Sequence, residues 1–385
     1  MLFNTPNLTA KDLEVVARID DIKKRLGVAI RAPKRWIGLL ARTALAKAIQ
    51  GSNSIEGYNV SMDDAIAAVE GEEPLDAKTE EWLAVTSYRR AMTYVLQLAS
   101  DPHFAYSNAV IRSLHFMMLE YDLSKHPGGW RPGPIFVRRE ATGEIVYEGP
   151  QADEVPALME ELVESLRKAD AVPDLVTAAM AHLNLVMIHP FSDGNGRMAR
   201  CLQTLVLGRL GVLAPEFSSI EEYLGRNREA YYQVLASVGS PTWAPDRDAH
   251  PWIRFCMSAH FLQASRVLRR TKVLDQLWSA FEEETKKHKL PDRCILALLD
   301  ATFSGRVRNP TYRKMADISD QVAGKDLREL VRTGLLIAEG EKRGRSYVVS
   351  DAAKKASARI KIPKIIEDPY AEDTAYLPGI APEVL

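Results

Sequence analysis

Residues 188–200 constrain the fold of this chain more than any other stretch, and they read Ile-His-Pro-Phe-Ser-Asp-Gly-Asn-Gly-Arg-Met-Ala-Arg. An apolar, helix-like segment, 174–188, leads into this run. Pro190 disfavours the α conformation for the residue before it, so the helix is predicted to end at His189. The imidazole therefore lies at a break between two helices and not on a core-facing stripe.

The glycine-rich half of the run predicts an anion-binding site. Gly194, Asn195 and Gly196 can adopt positive φ angles, which turn successive backbone N–H groups toward one point. A new apolar helical pattern starts directly afterwards, so these amides lie at a helix N-terminus, where the helix dipole also favours an anion. Arg197 and Arg200 project from one face of the first turn. Two guanidinium groups over an amide nest suggest a polyphosphate ligand.

Two further residues of the run suit phosphoryl transfer. Asp193 stands beside the positive cluster, where a carboxylate can hold a magnesium ion that bridges phosphates. Phe191 is predicted to anchor the loop in the core and to do no chemistry. The alternative is a structural helix–turn–helix corner with a buried core histidine, which does not explain a glycine nest, an acid and two spaced arginines together.

The run resembles the signature of the Fic (Fido) family, His-x-Phe-x-Asp/Glu-Gly-Asn-Gly-Arg-x-x-Arg, at every fixed position. The resemblance implies an all-helical domain that moves AMP from ATP to a hydroxyl of a protein. It implies that His189 is the general base and that Asp193 holds Mg²⁺. The residues that it implies for binding the ATP phosphates are Gly194, Asn195, Gly196, Arg197 and Arg200.

Composition excludes several other classes of protein. The 385 residues are 46% hydrophobic, enough for a large core and two or three domains. Fifty basic and fifty-one acidic residues nearly cancel, so the molecule as a whole is not an electrostatic binder of nucleic acid or membranes. The three cysteines lie singly in apolar stretches and are expected to be buried thiols. No apolar run is long enough to cross a bilayer, and the N-terminus lacks the basic-then-apolar layout of a signal peptide, so the cytoplasm is the predicted compartment.

A capped turn upstream of the run is a second candidate site. Residues 36–50 have a helical pattern that is predicted to break at Gly51. Ser52 is a candidate N-cap of a short new helix, Glu56 lies four positions on and faces the same way, and Gly57 can end that helix. By itself this is a common solvated helix turn.

Beside the Fic signature, the same turn resembles that family's inhibitory motif, Ser/Thr-x-x-x-Glu-Gly/Asn. The resemblance implies that Glu56 pairs with Arg200 and that Ser52 belongs to the inhibitory helix. A carboxylate on Arg200 removes the cation that the γ-phosphate of ATP would otherwise meet, so the predicted consequence is autoinhibition.

A period-two pattern interrupts the helices at 134–147 and predicts a β-hairpin, with the connection at 139–143. A lone hairpin presents an unpaired edge to which an extended segment of another protein can add. The Fic family has a hairpin flap at this place in the order, which implies target binding by Ile135, Phe136 and Val137. The alternative is a purely structural hairpin that covers helices.

The segment 221–235 resembles the Fic segment that walls the adenosine pocket. Tyrosines can stack on a purine and offer hydroxyl groups. Helical periodicity predicts that one residue of the Tyr231–Tyr232 pair faces the core, and the predicted pocket residues are Asn227 and Tyr231.

A third unit, at 288–350, resembles a winged helix domain, because three helical patterns precede two short strands. Its third helix and its hairpin carry cations that suit DNA phosphates. These cations are Lys325, Arg328, Arg332, Lys342, Arg343 and Arg345. Acidic residues stand among them, so docking of a protein or of a second copy is the favoured interpretation. The tail 351–385 has no periodicity and is predicted to be disordered in part or to strap along the surface.

The predicted fold class is all-α, a Fic/Fido helical core with a β-hairpin flap, plus a small C-terminal winged helix-turn-helix domain. The predicted regions are an N-terminal helical region 1–110, a Fic catalytic core 111–266, a connecting helix 267–287, a winged-helix-like domain 288–350 and a tail 351–385.

The predicted function is that of a protein adenylyltransferase that uses ATP and Mg²⁺ and is autoinhibited by Glu56. Its partners are a target protein carrying a Ser, Thr or Tyr hydroxyl, the chain itself as a target, and a second copy in a homodimer. Two alternatives are a Fic enzyme that removes AMP or moves another nucleotide, and a DNA-binding regulator that uses the Fic domain as a nucleotide sensor.

Overall fold

The fold is predominantly helical, as predicted. The computed structural model describes residues 1–32, 34–74, 76–138, 142–168, 172–211, 214–239, 241–341, 344–358, 360 and 367–371. The helices in these ranges are α1 Ala10–Arg31, α2 Ile37–Ile55, α3 Met62–Glu70, α4 Thr79–Ser100, α5 Asn108–Leu119, α6 Val155–Arg167, α7 Asp174–Ile188, α8 Asn195–Arg209, α9 Pro215–Ser218, α10 Glu221–Arg226, α11 Arg228–Gly239, α12 His250–Lys287, α13 Cys294–Phe303, α14 Asn309–Ala316, α15 Asp320–Arg332 and α16 Asp351–Ser357. The strands are β1 Phe136–Arg138, β2 Ile145–Glu148, β3 Leu336–Glu339 and β4 Ser346–Val349.

Helices α7 and α8 form the centre of the larger of two main hydrophobic cores. Nearly every residue of α7 is buried, which is why its sequence is apolar on all faces. Helix α8 packs against α7 on one side and against α4 on the other. The loop that joins α7 to α8 is the run 189–194, so the fold holds this loop rigidly from both ends.

The second core joins distant parts of the chain. It includes Trp36, which directly precedes α2, Leu39 of α2, Leu274 and Leu277 of α12, and apolar residues of α13. Helix α12 is 38 residues long, about 57 Å, and contributes to both cores. The predicted boundary between residues 266 and 267 therefore falls inside one continuous helix.

The predicted helix break at Gly51 is wrong. Helix α2 continues through Gly51 to Ile55, so Ser52 is a buried residue of its last turn and not an N-cap. A β-carbon at Gly51 would collide with the backbone of Glu221 in α10. Glycine is present because two helices approach closely here, and not because the helix ends.

The predicted hairpin consists of β1 and β2, which pair antiparallel with an irregularity between Val137 and Arg138. The second edge of β2 is also engaged, because Glu148 exchanges backbone hydrogen bonds with Pro241 at 2.9 Å and Trp243 at 3.0 Å. The open edge of the hairpin is therefore that of β1. Residues 139–141 of the predicted connection lie outside the described residues.

The C-terminal unit has the predicted order of three helices, α13 to α15, followed by the hairpin β3–β4. Val307 also pairs with Tyr347 of β4. The cations Lys325, Arg328 and Arg332 of α15 are exposed, and Arg332 forms an ion pair with Glu329 at 2.7 Å. Lys342 and Arg343 lie outside the described residues. The assignment as a winged helix and the binding of DNA stay predictions.

The C-terminal unit is docked on α2 and α3 by ion pairs. Lys314 of α14 contacts Glu72 just after α3 at 2.8 Å. A buried pair joins Arg42 of α2 to Asp300 of α13. Buried charges are stable only when paired, so the Arg42–Asp300 contact fixes the register of α2 against this unit.

The described part of the tail lies against the body of the protein. Asp368 accepts a hydrogen bond from Ser258 of α12 at 2.8 Å, and the hydroxyl of Tyr370 donates to Asp12 of α1 at 2.9 Å. The remaining tail residues of the prediction, 359, 361–366 and 372–385, lie outside the described residues. Within the described ranges, no helix combines the length and the apolar character that a membrane crossing requires.

Candidate active site

His189 ends α7 in a left-handed conformation, with φ 52°. Its Nδ1 lies 3.0 Å from the carbonyl oxygen of Val186. A carbonyl oxygen only accepts, so Nδ1 carries the proton and Nε2 keeps its lone pair. Burial lowers the pKa of His189 below its ordinary value, and the nearby Arg131 guanidinium acts in the same direction. The imidazole is therefore neutral near pH 7 and can act as a base.

Arg131 was not predicted, yet it fixes both the histidine loop and the hairpin. It is 3% exposed and donates to three carbonyl oxygens: those of His189 at 2.8 Å, Gly133 at 2.6 Å and Pro150 at 2.6 Å. Gly133 precedes β1 and Pro150 follows β2. One guanidinium thus sets the distance between the base of the hairpin and the histidine loop.

Phe191 packs from the loop into the core. It is fully buried, and its ring stacks on His115 of α5 with centroids 3.6 Å apart. The side chain of Asn195 bonds both to the N–H and to the carbonyl of Phe191, each at 2.9 Å. The Asn195 amide therefore closes the loop, and only its backbone N–H remains for a phosphate.

His115 is a second unpredicted residue of the site, because its position on α5 indicated only helical core. Its Nδ1 accepts from the N–H of Gly128 at 2.8 Å, and its Nε2 lies 2.8 Å from the carbonyl oxygen of Asp193. Nε2 is therefore the protonated nitrogen. Burial lowers the pKa of His115 to about 4. A neutral imidazole thus holds the backbone at Asp193 in place.

The amide nest is made differently from the prediction. Of the three predicted residues only Gly194 has a positive φ, 76°, and it is the N-cap of α8. Asn195 and Gly196 are already helical, so their N–H groups converge because the first turn of a helix leaves its amides without intrahelical partners. A β-carbon on Gly196 would collide with Oε1 of Glu56. The nest therefore opens directly onto the carboxylate of Glu56.

Arg200 binds the last turn of α2. Its Nε donates to the hydroxyl of Ser52 at 2.8 Å, and its Nη2 donates to the carbonyl of Ser52 at 3.0 Å and to Oε1 of Glu56 at 2.7 Å. Arg200 is 1% exposed and Glu56 is 28% exposed. Burial would lower the pKa of Arg200, but the Glu56 carboxylate outweighs it and raises that pKa above its ordinary value. The geometry thus brings together Ser52, Glu56 and Arg200.

Arg197 is as deeply buried as Arg200, at 1% exposed. Its guanidinium carbon lies 5.2 Å from the centre of the Tyr58 ring. Within the described residues, Nε and Nη1 of Arg197 and Nη1 of Arg200 have no hydrogen-bond partner. Buried donors without a partner are costly in a protein interior. Here they lie at an amide nest, where the oxygens of a phosphate chain would satisfy them.

Asp193 is the residue that the sequence predicted as the metal ligand. Its Oδ1 accepts from the N–H of Gly194 at 2.6 Å, and its Oδ2 pairs with Nζ of Lys125 at 2.9 Å. Burial would raise the pKa of Asp193, but Lys125 and Arg197 outweigh it and hold that pKa below its ordinary value. In the described ranges no group of three His, Cys, Asp or Glu side chains forms a ready-made metal site. A single ionised carboxylate at a phosphate nest fits Mg²⁺, which takes most ligands from phosphates and water.

The two tyrosines of α11 face opposite environments. Tyr231 is 1% exposed, and its hydroxyl lies 3.0 Å from Nε2 of His182. Tyr232 is 41% exposed, and its hydroxyl donates to the carbonyl of Ile55 at 3.1 Å. Asn227 caps α10 with a bond from its side chain to the carbonyl of Tyr223 at 2.9 Å. Tyr231 is thus the core-facing member of the pair, and Tyr232 is the one that borders the surface beside Glu56.

These observations define the class of site: a neutral histidine, an amide nest and two buried arginines lie together in a helical protein, an arrangement that suits a polyphosphate. Residues 106–207 match the sequence model of the Fic/DOC family. This range contains His115, Arg131, His189 and both arginines of the nest.

Several known proteins resemble the chain. It is 26% identical over 260 residues to the protein adenylyltransferase Fic of Nematostella vectensis, which covers 65% of this chain and 55% of that protein. It is 33% identical over 192 residues to a probable protein adenylyltransferase of Aquifex aeolicus (strain VF5), which covers 49% of this chain and 55% of that protein. The chain thus spans about half the length of these curated relatives.

The fold is also that of solved Fic structures. The crystal structure of a Fic family protein from Desulfovibrio desulfuricans G20 superposes with a TM-score of 0.56 at 23% sequence identity, over 90% of this chain and 98% of that chain. Residues 134–508 of Fic-1 from C. elegans superpose with a TM-score of 0.51 at 21% identity, over 67% of this chain and 72% of that chain. At these identities the likeness shows a shared fold.

Proposed function

We propose that this protein transfers AMP from ATP to a hydroxyl group of a protein and that the last turn of α2 inhibits the transfer. The observation that carries the proposal is that Arg197 and Arg200 of α8 are both 1% exposed and keep donor nitrogens without a partner in the described residues, with Nη1 of Arg200 beside Gly196. A triphosphate supplies the oxygens that these donors lack. The names of the relatives, protein adenylyltransferases, support the same chemistry.

In this mechanism the target hydroxyl attacks the α-phosphorus of ATP while the bond to the bridging oxygen of the β-phosphate breaks. Nε2 of His189 takes the proton of the hydroxyl, and pyrophosphate leaves from the opposite side. The N–H groups of Gly194 to Gly196 hold phosphate oxygens in position. Arg197 and Arg200 neutralise the charge on the β- and γ-phosphates. Asp193 would hold Mg²⁺, which supplies further neutralisation of the phosphates when bound.

The inhibition follows from competition for Arg200. The carboxylate of Glu56 lies on Nη2 of Arg200 and against Gly196, where the end of a triphosphate would lie. A bound γ-phosphate cannot share this place with a carboxylate of the same charge. ATP would therefore bind with its triphosphate displaced, and the α-phosphorus would not meet the attacking hydroxyl in line. Movement of Glu56 away from Arg200 relieves the inhibition.

The target segment is proposed to pair with the open edge of β1. Phe136 is 39% exposed, whereas Ile135 and Val137 are half-buried. An extended segment added along β1 would use its backbone groups for affinity and would lie beside the histidine loop, because Arg131 ties the hairpin to that loop. Segments of the chain itself are candidate targets in the same way.

Removal of AMP from a modified protein is a second candidate activity of the same site. Its support is the position of Glu56, whose charge is close enough to raise the pKa of His189 against the effect of burial. A carboxylate beside the imidazole can orient a water molecule in place of the hydroxyl. This activity needs Glu56, whereas the transfer of AMP is slowed by it.

The test uses α-labelled ATP with magnesium and two proteins, Glu56→Gly and Glu56→Gly/His189→Ala. The expected result is label on the protein itself or on one band of a cell lysate, with no label from the double variant. Equal labelling by both proteins would overturn the role of His189, and the absence of label with Glu56→Gly would overturn AMP transfer. Release of AMP from the labelled band by the native chain, but not by Glu56→Gly, would establish the second activity.

A further inference from the structure

We infer that Lys125 is a positioning residue that occupies the metal-binding oxygen of Asp193 and that Tyr58 ties it to the inhibitory turn. The inhibitory turn is here the segment 52–58. When this turn moves, Arg200 loses its carboxylate partner and Lys125 loses its contact with Tyr58. The inference rests on the proposed function, and it adds a second contact by which the same turn restrains the site.

The first step concerns the backbone of the turn. After α2 ends at Ile55, Gly57 adopts a positive φ of 86° and reverses the chain. The N–H of Tyr58 returns to the carbonyl of Asn53 at 3.1 Å, so Tyr58 is fixed to the same turn as Glu56. This is the usual closure of a helix by glycine. Any displacement of the last turn of α2 therefore carries both side chains with it.

The second step concerns Lys125, which lies in a short 3₁₀ turn, Leu123–Lys125, after α5. Its Nζ lies 2.9 Å from Oδ2 of Asp193 and donates to the hydroxyl of Tyr58 at 3.3 Å. Asp122, the other acid in reach, is 4.0 Å away. Lys125 thus bridges the inhibitory turn and the carboxylate that would hold the metal.

The third step concerns the oxygens of Asp193. Oδ1 is engaged by the N–H of Gly194 at 2.6 Å, so Oδ2 is the oxygen through which a divalent cation would be held. The ammonium of Lys125 takes this position. Two cations cannot share it at close range, because like charges at a few ångströms repel. Metal binding therefore requires that Lys125 withdraw.

The fourth step concerns the face of Tyr58. Its ring lies over the Arg197 guanidinium at 5.2 Å and 6.0 Å from Nζ of Lys125. One aromatic ring thus contacts two cations by the attraction that the π-face offers. With Glu56 on Arg200, the inhibitory turn contacts three cations of the site: Lys125, Arg197 and Arg200.

The affinity for a divalent cation measures the competition between Lys125 and the metal for Asp193. Lys125→Met keeps the length of the side chain and removes the charge. Because the Lys125–Asp193 pair is partly exposed, its loss should tighten binding of a divalent cation by roughly 3- to 10-fold. Lys125→Arg keeps the charge and should leave the affinity close to that of the native chain. Tyr58→Phe removes the hydroxyl but keeps the ring, so it should give part of the gain.

The experiment titrates Mn²⁺ in the presence of α,β-methylene ATP and follows the free-ion signal by electron paramagnetic resonance, a readout that needs no AMP transfer. Lys125→Met is compared on the native chain and on Glu56→Gly, with Lys168→Met as the matched control, because Lys168 pairs only with the exposed Glu164 in the described structure. The gain from Lys125→Met should persist on Glu56→Gly, because that variant keeps both Tyr58 and the Lys125–Asp193 pair.

Three outcomes overturn the inference. Weaker Mn²⁺ binding by Lys125→Met would mean that Lys125 contacts the nucleotide itself, and an unchanged affinity would mean that it does not compete with the metal. In both cases AMP transfer by Glu56→Gly stands unaffected. If Glu56→Gly and all other variants fail to bind the metal–nucleotide complex, the proposed function falls together with this inference.

Discussion

Gly51 of α2 and Gly225 of α10 lie in direct backbone contact. A β-carbon on Gly225 would come within 2.6 Å of the α-carbon of Gly51, and a β-carbon on Gly51 would collide with the backbone of Glu221. Ser52 follows Gly51 at once, so this crossing places the inhibitory turn against Arg200. The distance between two helices thus decides whether the Arg200–Glu56 contact forms.

Gly51→Ala should therefore loosen the inhibitory turn. The added methyl group forces α2 and α10 apart and should cost about 1–3 kcal/mol of the free energy of unfolding. It should also raise AMP transfer above that of the native chain, because Glu56 moves away from Arg200. Urea unfolding and transfer of labelled AMP test the two effects. Gly38→Ala is the matched control on the same helix, since nothing lies within 4 Å of its β-carbon, and activation by that control would contradict the role of the crossing.

Arg131→Met should uncouple the hairpin from the histidine loop. It leaves three carbonyl oxygens without their donor, and the expected loss of stability is about 3 kcal/mol. In the Glu56→Gly background, transfer to a target protein should fall by at least roughly 10-fold through a higher KM for the target. Arg138→Met is the control, because Arg138 is exposed on β1 and contacts only Gly143 among the hydrogen bonds described. Equal losses in both variants would refute a specific role of Arg131.

Asp193→Ala should remove the magnesium dependence of the reaction together with most of its rate. In the Glu56→Gly background we expect a loss of roughly 10²-fold or more, because the carboxylate proposed to hold Mg²⁺ beside the phosphates is gone. Rates are measured over a magnesium titration. Asp122→Ala is the control, since it removes a neighbouring carboxylate that lies 4.0 Å from Lys125. A full rate without the Asp193 carboxylate would contradict its assignment.

Stability should fall as the pH drops from about 6.5 toward 4. Burial lowers the pKa of His115 to about 4 and that of His182 to about 3. The unfolded chain takes up protons near pH 6.5, where the folded chain does not, so acid favours the unfolded chain. At pH 5 each of the two histidines should cost about 2 kcal/mol relative to pH 8. Urea unfolding at both pH values tests this: His115→Gln should reduce the difference, and the exposed His103→Gln should not.

Local patterns in the sequence were sufficient for most of the fold. Helix periodicity, the Pro190 stop and the two strand patterns predicted α7, α8, the hairpin β1–β2 and the order of the C-terminal unit. Each of these signals acts over a few neighbouring residues. The resemblance implied the pairing of Glu56 with Arg200, which lies 144 positions away, and the structure has the two side chains 2.7 Å apart. The hydrogen bond from Arg200 to Ser52 was not predicted.

The remaining features depend on packing between distant segments. Glycine often ends a helix, so the sequence predicted a break at Gly51. The structure shows that glycine is needed there because α10 packs directly against it. Three further residues bind oxygen atoms that lie far away in the chain: Arg131, His115 and Lys125. Sequence spacing alone does not predict such contacts. Tyr231 and Tyr232 are adjacent in sequence, and only the position of α11 on His182 shows which of them is buried.

Helix α2 has its first half in the second core, beside the C-terminal unit, and its last turn on Arg200. Its 19 residues span about 28 Å. A tilt of about 5° at the Trp36 end would displace Glu56 by about 2 Å, enough to break a hydrogen bond of 2.7 Å. A tilt of α2 that leaves the packing in the second core intact would therefore be large enough to separate Glu56 from Arg200.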